Sequence, residues 1–276
     1  MNIIGIPALV GSYDNYIWVL SQAKHAWVID PGESQQVIDY LNQNSLSLQG
    51  VLITHGHHDH VNGIPALKTA FPNCHIYGPE KTDSPLIQSS LKEGDQITLT
   101  PDFIFKVLET PGHTSDHIAY YTDSQSNKVL FCGDTLFTAG CGRKFTGTFE
   151  EFTHSILKLR SLAADTGFYC AHEYSETNLK FAHLVEPSNP QLIQRIKASN
   201  INFPKNLVSP QSTLAEECAT NPFLRFDTAE VKQQLIQRGA KDRPEDLFKT
   251  LREWKDQLDQ SGGLDQISFK KLQNSL

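Results

Sequence analysis

The first half of the chain sets short apolar runs between turn residues. Ile3–Ile6, Tyr16–Leu20 and Ala26–Ile29 are predicted strands, the last running into Asp30-Pro31-Gly32. Val37, Ile38 and Leu41 recur at helical spacing, so residues 33–44 are predicted as a helix. Gly50–Thr54 reads as a buried strand, and Val61–Ala70 as a helix that tolerates Pro65 in its first turns. Further strands are expected at Phe103–Leu108, Ile118–Tyr121, Lys128–Cys132 and Gly167–Cys170. Thr148-Phe149-Glu150-Glu151 has the residues of a capping box and opens a helix through about Leu162.

Beyond about residue 173 convincing strand patterns stop. Asn178–Val185, Leu192–Ser199, Leu214–Thr220, Ala229–Arg238 and Pro244–Leu258 all have helical spacing, and Ser188-Asn189-Pro190 and Asp242-Arg243-Pro244 place proline just inside a first turn. The tail after Ser261-Gly262-Gly263 carries no clear pattern and is expected to be a loosely docked end. The fold class expected is therefore α/β, a mixed domain over residues 1–172 followed by an all-helical domain over 173–276.

Composition narrows the function. The 276 residues include 24 Lys and Arg against 31 Asp and Glu, a net charge of −7, which argues against nucleic acid or an anionic membrane as the main partner. No apolar run approaches the roughly 20 residues of a spanning helix, and residues 1–20 lack the basic start of a signal peptide. Five scattered cysteines without a CxxC pair or a glycosylation sequon suggest a reducing compartment, so a cytoplasmic location is expected.

Of the 11 histidines, His55, His57, His58 and His60 fall within Thr54-His55-Gly56-His57-His58-Asp59-His60. A single histidine on an apolar face is usually structural, but this density points to metal, because neutral imidazole is the commonest metal ligand. Gly56 allows a tight turn after a buried strand, so that alternate side chains converge. More ligand-type residues stand where other apolar runs end: His113 after Thr110-Pro111-Gly112, Asp134 after Cys132-Gly133, and His172 after Cys170-Ala171. Open α/β folds gather function outside the carboxyl ends of their strands, so these exits should line one rim. His55, His57, Asp59, His60, His113, Asp134 and His172 are too many for one tetrahedral zinc and suit two metals sharing a carboxylate, with a hydroxide between them as nucleophile. With only N and O donors, zinc, iron and manganese all qualify.

Thr54 to His60 fits the THxHxDH signature, and with His113, Asp134 and His172 the chain resembles the metallo-β-lactamase superfamily. Within it the chain resembles the glyoxalase II (hydroxyacylglutathione hydrolase) family. That likeness extends through Gly140-Cys141-Gly142-Arg143-Lys144-Phe145, Ala171-His172-Glu173-Tyr174, Asn178–Ala182, Asn221–Arg225 and Arg252–Asp256, and so covers nearly the whole chain. The resemblance implies an αββα sandwich followed by a helical glutathione-binding domain. One metal would take His55, His57 and His113 and the other Asp59, His60 and His172, with Asp134 bridging. Two divalent ions, zinc foremost, are implied. Asp30 would steady the metal loop, His58 would fill the variable position, and His25, His75, His154 and His183 fall outside the pattern.

The implied reaction is hydrolysis of S-(R)-lactoylglutathione to glutathione and D-lactate by a hydroxide bridging the metals, with Asp59 and Asp134 as the catalytic carboxylates. A thiolate leaves readily, so the chemistry needs a nucleophile and an electrophile but scarcely a general acid. Arg252 and Lys255 lie one helical turn apart and match family positions that hold the glycine carboxylate; Arg143 and Tyr174 match other glutathione contacts. Phe145 stands where some relatives carry Tyr, and Arg143 where some carry Lys. A small-molecule thioester substrate, no nucleic-acid or membrane partner and a monomeric state are expected. A β-lactamase would be expected to carry an export signal and another residue in place of Asp134. A persulfide dioxygenase would lack the long helical region, and a lactonase would share the ligands without needing Arg252 and Lys255. A non-catalytic metal store would not need ligands from separate strand exits. No G-x-S-x-G or phosphate-cradling motif occurs.

Overall fold

The computed structural model describes residues 1–124 and 127–276. The first six strands, β1 (Asn2–Ala8), β2 (Asn15–Gln22), β3 (His25–Ile29), β4 (Ser47–Leu52), β5 (His75–Pro79) and β6 (Ser89–Leu91), form one sheet in sequence order, antiparallel from β1 to β3 and parallel from β3 to β6. The second sheet contains β7 (Gln96–Thr100), β8 (Phe103–Glu109), β9 (Ile118–Ser124) and β10 (Asn127–Phe131) as an antiparallel meander. A two-stranded ribbon, β11 (Leu136–Phe137) with β12 (Gly140–Cys141), leads on to β13 (Gly167–Tyr169), which pairs parallel to β10, and β14 (Ser212–Thr213) closes the edge.

The two sheets pack face to face because strand side chains alternate between two apolar layers. In β2, Tyr16, Trp18 and Leu20 join Phe103, Phe105, Val107, Tyr120 and Phe131 of the second sheet, whereas Ile17 and Val19 point the other way. That outer side is covered by α1 (Gln35–Gln43) and α3 (Ile64–Ala70), which contribute Val37, Leu41, Ile64 and Leu67; a single turn, α2 (His58–Val61), lies between them in sequence. A strand covered on both faces has no solvent side, hence the unbroken apolar runs in the sequence. Beyond the second sheet lie α4 (Phe149–Arg160) and the helices α5 (Ser175–Val185), α6 (Pro190–Ala198), α7 (Leu214–Thr220), α8 (Ala229–Gln237) and α9 (Pro244–Ser261). Phe152, Ile156 and Leu159 of α4 meet Phe181, Phe248 and Leu251 there, giving the order helix, sheet, sheet, helix.

The expected capping box is present: Glu151 N donates to Thr148 Oγ1 at 3.1 Å and Thr148 N to Glu151 Oε2 at 2.8 Å. β5, β6 and β7 are not foreseen by the pattern. β5 carries Gly78 and Pro79, which read as a turn, and the other two are short edge strands with exposed polar positions. The tail is not loose: α10 (Phe269–Ser275) packs Phe269 against Leu179 and Ile196, and Gln273 Nε2 donates to the carbonyls of Ile196 and Ser199 at 2.8 and 3.0 Å. The helical region also returns to the sandwich, through β14 and through paired backbone bonds between Gly5 and Leu207 at 2.7 and 2.9 Å.

Thr148→Ala removes the cap of α4, the helix that joins the second sheet to α9. The expected loss is about 1 kcal/mol of stability, read from the denaturant midpoint at constant slope.

Candidate metal centre and substrate cleft

The segments following β3, β4, β8, β10 and β13 converge, and each delivers a chemically active residue: Asp30, His55, His113, Asp134 and His172. His57, Asp59 and His60 come from the tight turn after β4 and from α2. Ligand atoms of His55, His57, His113 and Asp134 lie within 4.8 Å of one another, and those of Asp59, His60 and His172 do likewise. Asp134 faces both groups: Oδ2 is 3.4 Å from His113 Nε2, and Oδ1 is 3.1 Å from His172 Nε2 and 3.4 Å from His60 Nε2. The structure thus brings all seven predicted residues together. His58 points away, its Nε2 3.1 Å from the Tyr13 hydroxyl.

The rings are oriented from the far side, His55 by Thr54 Oγ1 at 3.1 Å from its Nδ1, except His57, whose Nδ1 lies 3.1 Å from His113 Nε2. His113 Nδ1 is 2.7 Å from the Arg143 carbonyl and His172 Nδ1 is 2.7 Å from the Tyr13 carbonyl, so both carry hydrogen on Nδ1 and turn Nε2 inward. His60 Nδ1 lies 3.0 Å from Asp30 Oδ2. Asp30 adopts a positive φ of 52°, and its oxygens also accept from Thr54 N at 2.8 Å and Thr54 Oγ1 at 2.7 Å, tying the end of β3 to the histidine loop. Gly32 lets that loop approach: a Cβ there would stand 1.9 Å from the Asp59 carbonyl oxygen.

The inward atoms are the test of whether a metal fits. Among the described residues, His55 Nε2, His60 Nε2 and Asp134 Oδ1 are buried with no hydrogen bond, a cost that proteins seldom leave uncompensated. Burial pushes His55 well below the usual imidazole range and His113 down to about 4, which leaves both neutral and able to offer a lone pair. Burial acts against the charge on Asp134, yet His172 and His60 hold it well below the usual carboxylate range. His60 is burdened by burial too, but Asp134 and Asp30 raise it well above the usual value; the surplus of carboxylate at this point is what a cation offsets. Buried imidazole and carboxylate donors in two adjoining sets suit divalent metals.

Two contributors carry little sequence signal. His117 is buried, stacks on His55 with centroids 4.8 Å apart and accepts from Asp134 N at 3.1 Å through Nε2, while its Nδ1 lies 2.9 Å from Thr110 Oγ1. Burial and His113 push it down to about 3, so it remains a neutral acceptor that holds the backbone of Asp134. Its one sequence signal is its spacing, four residues after His113. Asn15, also buried, donates from Nδ2 to Asp59 Oδ2 and to the Asp59 carbonyl, both at 3.2 Å, and nothing local distinguishes it from a turn asparagine.

A cleft of about 460 Å3 opens over the centre, and Arg143, Tyr174, Arg252 and Lys255 line it with His57, Asp59, His113, Asp134 and His172. Tyr174 stacks on His172 at 4.8 Å with the rings 8° from parallel. Arg252 is 1% exposed and Lys255 5%, and burial with the neighbouring Arg252 pushes Lys255 down to about 8. Arg252 Nη1 donates to the Cys141 carbonyl at 2.9 Å, which joins α9 to the ribbon behind the centre. Phe145 stands at the rim, 57% exposed, with its ring 5.2 Å from His57 and 5.1 Å from His113.

Stacked mixed sheets clothed in helices, with a His/Asp centre at one rim, are the architecture of the metallo-β-lactamase class. The profile described as the Metallo-beta-lactamase superfamily matches residues 11–172, and that described as Hydroxyacylglutathione hydrolase C-terminus matches residues 173–258. The chain is 41% identical to the hydroxyacylglutathione hydrolase of Hydrogenovibrio crunogenus over 271 residues, 96% of this chain and 98% of that protein. It is 43% identical to that of Idiomarina loihiensis over 255 residues, 91% and 98% of the two chains. Among solved structures, ETHE1 from Myxococcus xanthus shares the fold with a TM-score of 0.61 at 22% identity, over 92% of this chain and 98% of that one. The BLEG-1 B3 metallo-beta-lactamase does so at 0.59 and 24%, over 80% and 98%. The chain belongs to the hydroxyacylglutathione hydrolase family of the metallo-β-lactamase superfamily.

Gly142 packs directly against this chemistry: a Cβ there would stand 2.1 Å from the Asp134 carbonyl oxygen and 2.8 Å from His113 Nδ1. Gly142→Ala is expected to cost about 1–3 kcal/mol and to lower bound metal as well, measured by thermal denaturation and elemental analysis of one preparation.

Proposed function

We propose that this chain hydrolyses S-(R)-lactoylglutathione to glutathione and D-lactate, the second step of methylglyoxal detoxification. The observation that carries the reading is that one cleft joins the His/Asp centre to the buried pair Arg252 and Lys255. A thioester with a carboxylate at its far end needs both halves. In this reading His55, His57 and His113 hold one divalent ion, Asp59, His60 and His172 the other, and Asp134 lies between them; zinc suits the N and O donors, with iron or manganese as alternatives. Two such ions supply an activated water at neutral pH and polarise the thioester carbonyl.

The protein's own groups do the remaining work. Burial opposes the charge on Asp59, yet the His60 ring, with Nε2 3.4 Å from Asp59 Oδ2, holds it well below the usual carboxylate range, so it presents an ionised oxygen to orient water. Asn15 fixes that oxygen. Arg252 and Lys255 take the glycine carboxylate, with Arg143 and Tyr174 along the peptide between the two ends. The departing thiolate has an ordinary pKa of about 8.5, so no side chain need protonate it. In this reading residues 1–172 form the catalytic domain and residues 173–276 the glutathione-binding one. The five free cysteines suit a reducing cytoplasm, and a single chain holds the whole cleft, in keeping with a monomer.

The decisive assay is hydrolysis of S-D-lactoylglutathione with metals quantified on the same sample. About two metals per chain with efficient turnover is the expected result, and Asp134→Ala should lower metal content and turnover together. Good occupancy without thioester hydrolysis would discard the glutathione assignment and keep the fold.

The pH dependence has a definite sign. Lys255 binds the substrate carboxylate only when protonated, and its value in the free protein is about 8. The kcat/KM of the parent should therefore fall as pH rises through about 8, and Lys255→Met should remove that limb while lowering kcat/KM below it. Persistence of the limb in Lys255→Met would assign it to another group.

A further inference from the structure

This inference rests on the glutathione reading above. Arg252, Lys255, Asp256 and Asp259 follow one another along α9 at intervals of three and one and three, so they share one helical face. Asp259 sits at the focus of three cations. Its carboxylate accepts from Lys255 Nζ at 2.9 and 3.0 Å, and its Oδ2 is 3.4 Å from Arg143 Nη2 and 3.5 Å from Arg252 Nη2. Two of them, Arg252 and Lys255, are the cations assigned to the glycine carboxylate, and Arg143 stands beside them in the cleft.

Asp256 and Asp259 each pair with a cation four residues earlier on the helix, but Asp259 meets all three cations and Asp256 only the two arginines. Asp256 Oδ1 accepts from Arg252 Nη2 at 2.9 Å, an i to i+4 pair within the helix, and lies 3.4 Å from Arg143 Nε. Asp259 lies in the last turn of α9, where no basic residue is present and where the helix dipole disfavours an anion. Its hold on the site comes from the cations alone. Arg252 Nε, in a residue 1% exposed, has no hydrogen-bond partner, so the buried guanidinium still has a donor to give. Within this ion-pair network Asp256 and Asp259 are shared among three cations, so an incoming carboxylate can take over contacts that Asp259 makes.

We propose that Asp259 is an exchangeable counter-carboxylate: it gathers Arg143, Arg252 and Lys255 in the free protein and is displaced by the terminal carboxylate of the glutathione thioester. The device sets specificity. A buried ammonium such as Lys255 is costly without a partner, so an internal anion keeps the cations charged and in place while the cleft is empty. A ligand that brings its own carboxylate replaces that partner, and a ligand with a neutral end does not. The exchange lowers affinity for the correct substrate and costs more for one that lacks the charge.

The test uses the metal-loaded protein with S-lactoylglutathione, its glycinamide analogue, and S-methylglutathione as a non-reacting probe. Assayed at a pH well below 8, where Lys255 stays protonated, Asp259→Asn should lower KM for the acid about five-fold, tighten S-methylglutathione in calorimetry by a similar factor, and move the amide less than two-fold. The change should fall on KM rather than on kcat. A raised KM would show that Asp259 only props up the cations, and an equal gain for acid and amide would show a steric effect; either result overturns the exchange. Asp259→Ser, with melting temperatures for both variants, covers poor folding of the first. If the parent itself binds acid and amide equally, the assignment of Arg252 and Lys255 to a carboxylate fails, which is a different result from a silent Asp259 variant.

Discussion

Everything in this protein turns on open valences held in a dry place. Among the described residues, His55 Nε2, His60 Nε2 and Asp134 Oδ1 are buried with no hydrogen bond, and unpaired polar atoms in a low-dielectric interior are costly. A cluster of like donors does not assemble of its own accord, because imidazoles offering lone pairs and carboxylates carrying charge repel or desolvate one another. It persists only where the surrounding structure fixes the rings from behind, as it does here for all but His57. The Arg143 and Tyr13 carbonyls, Asp30 and Thr54 do that here, each in contact with the nitrogen that faces away from the centre. Divalent metal held there would offset the buried negative charge and the unused lone pairs at once.

The sandwich supplies the rigidity for this. Strand positions that alternate between two apolar layers leave no slack for a strand to slip by one residue, since a slip would exchange Trp18 and Val19 between layers of different shape. The ends of β3, β4, β8, β10 and β13 are thereby fixed, and so are the residues just beyond them. The bonds that complete the centre are long-range: Tyr13 to His172, Asn15 to Asp59, His117 to Asp134. Loops carry the ligands, but sheet registers decide where the loops begin.

The substrate end is built on a helix instead. Arg252 and Lys255 are buried by the packing of α9 against the rest of the helical layer, where Phe248 and Leu251 of the same helix meet Phe152 and Phe223. Arg252 bonds to the Cys141 carbonyl, next to the Gly142 that abuts Asp134, so the two ends of the cleft are linked through a few atoms of ribbon. With the proposed anion-binding pair on a helix and the proposed metal ligands on strand exits, each end of the cleft is shaped by its own packing. The acidic residues on α9 that neutralise these cations are as much a part of the cleft as the cations themselves.

Much of this was legible in the residues alone. The THxHxDH run, the His and Asp placed after buried strand patterns, and the change to helical spacing near residue 173 all depend on local order, which a sequence states directly; the capping box at Thr148 and the proline starts of α6 and α9 are legible for the same reason. β5, β6 and β7 were not, because Gly, Pro and exposed polar positions resemble turns until a neighbouring strand supplies the hydrogen bonds. The tail helix was not, because its one deeply buried anchor, Phe269, finds its pocket among residues far away in the chain. Nor were His117 and Asn15, whose roles consist of bonds to Asp134 and Asp59, or the grip of Asp259 on Arg143, Arg252 and Lys255. The sequence by itself determined the donor types, their order and the family they belong to, since these are properties of local spacing. Which nitrogen of each ring faces inward, which carboxylate answers which cation, and the joining of both ends in one cleft were decided only by the tertiary structure, because each depends on a contact between segments that the chain order keeps apart.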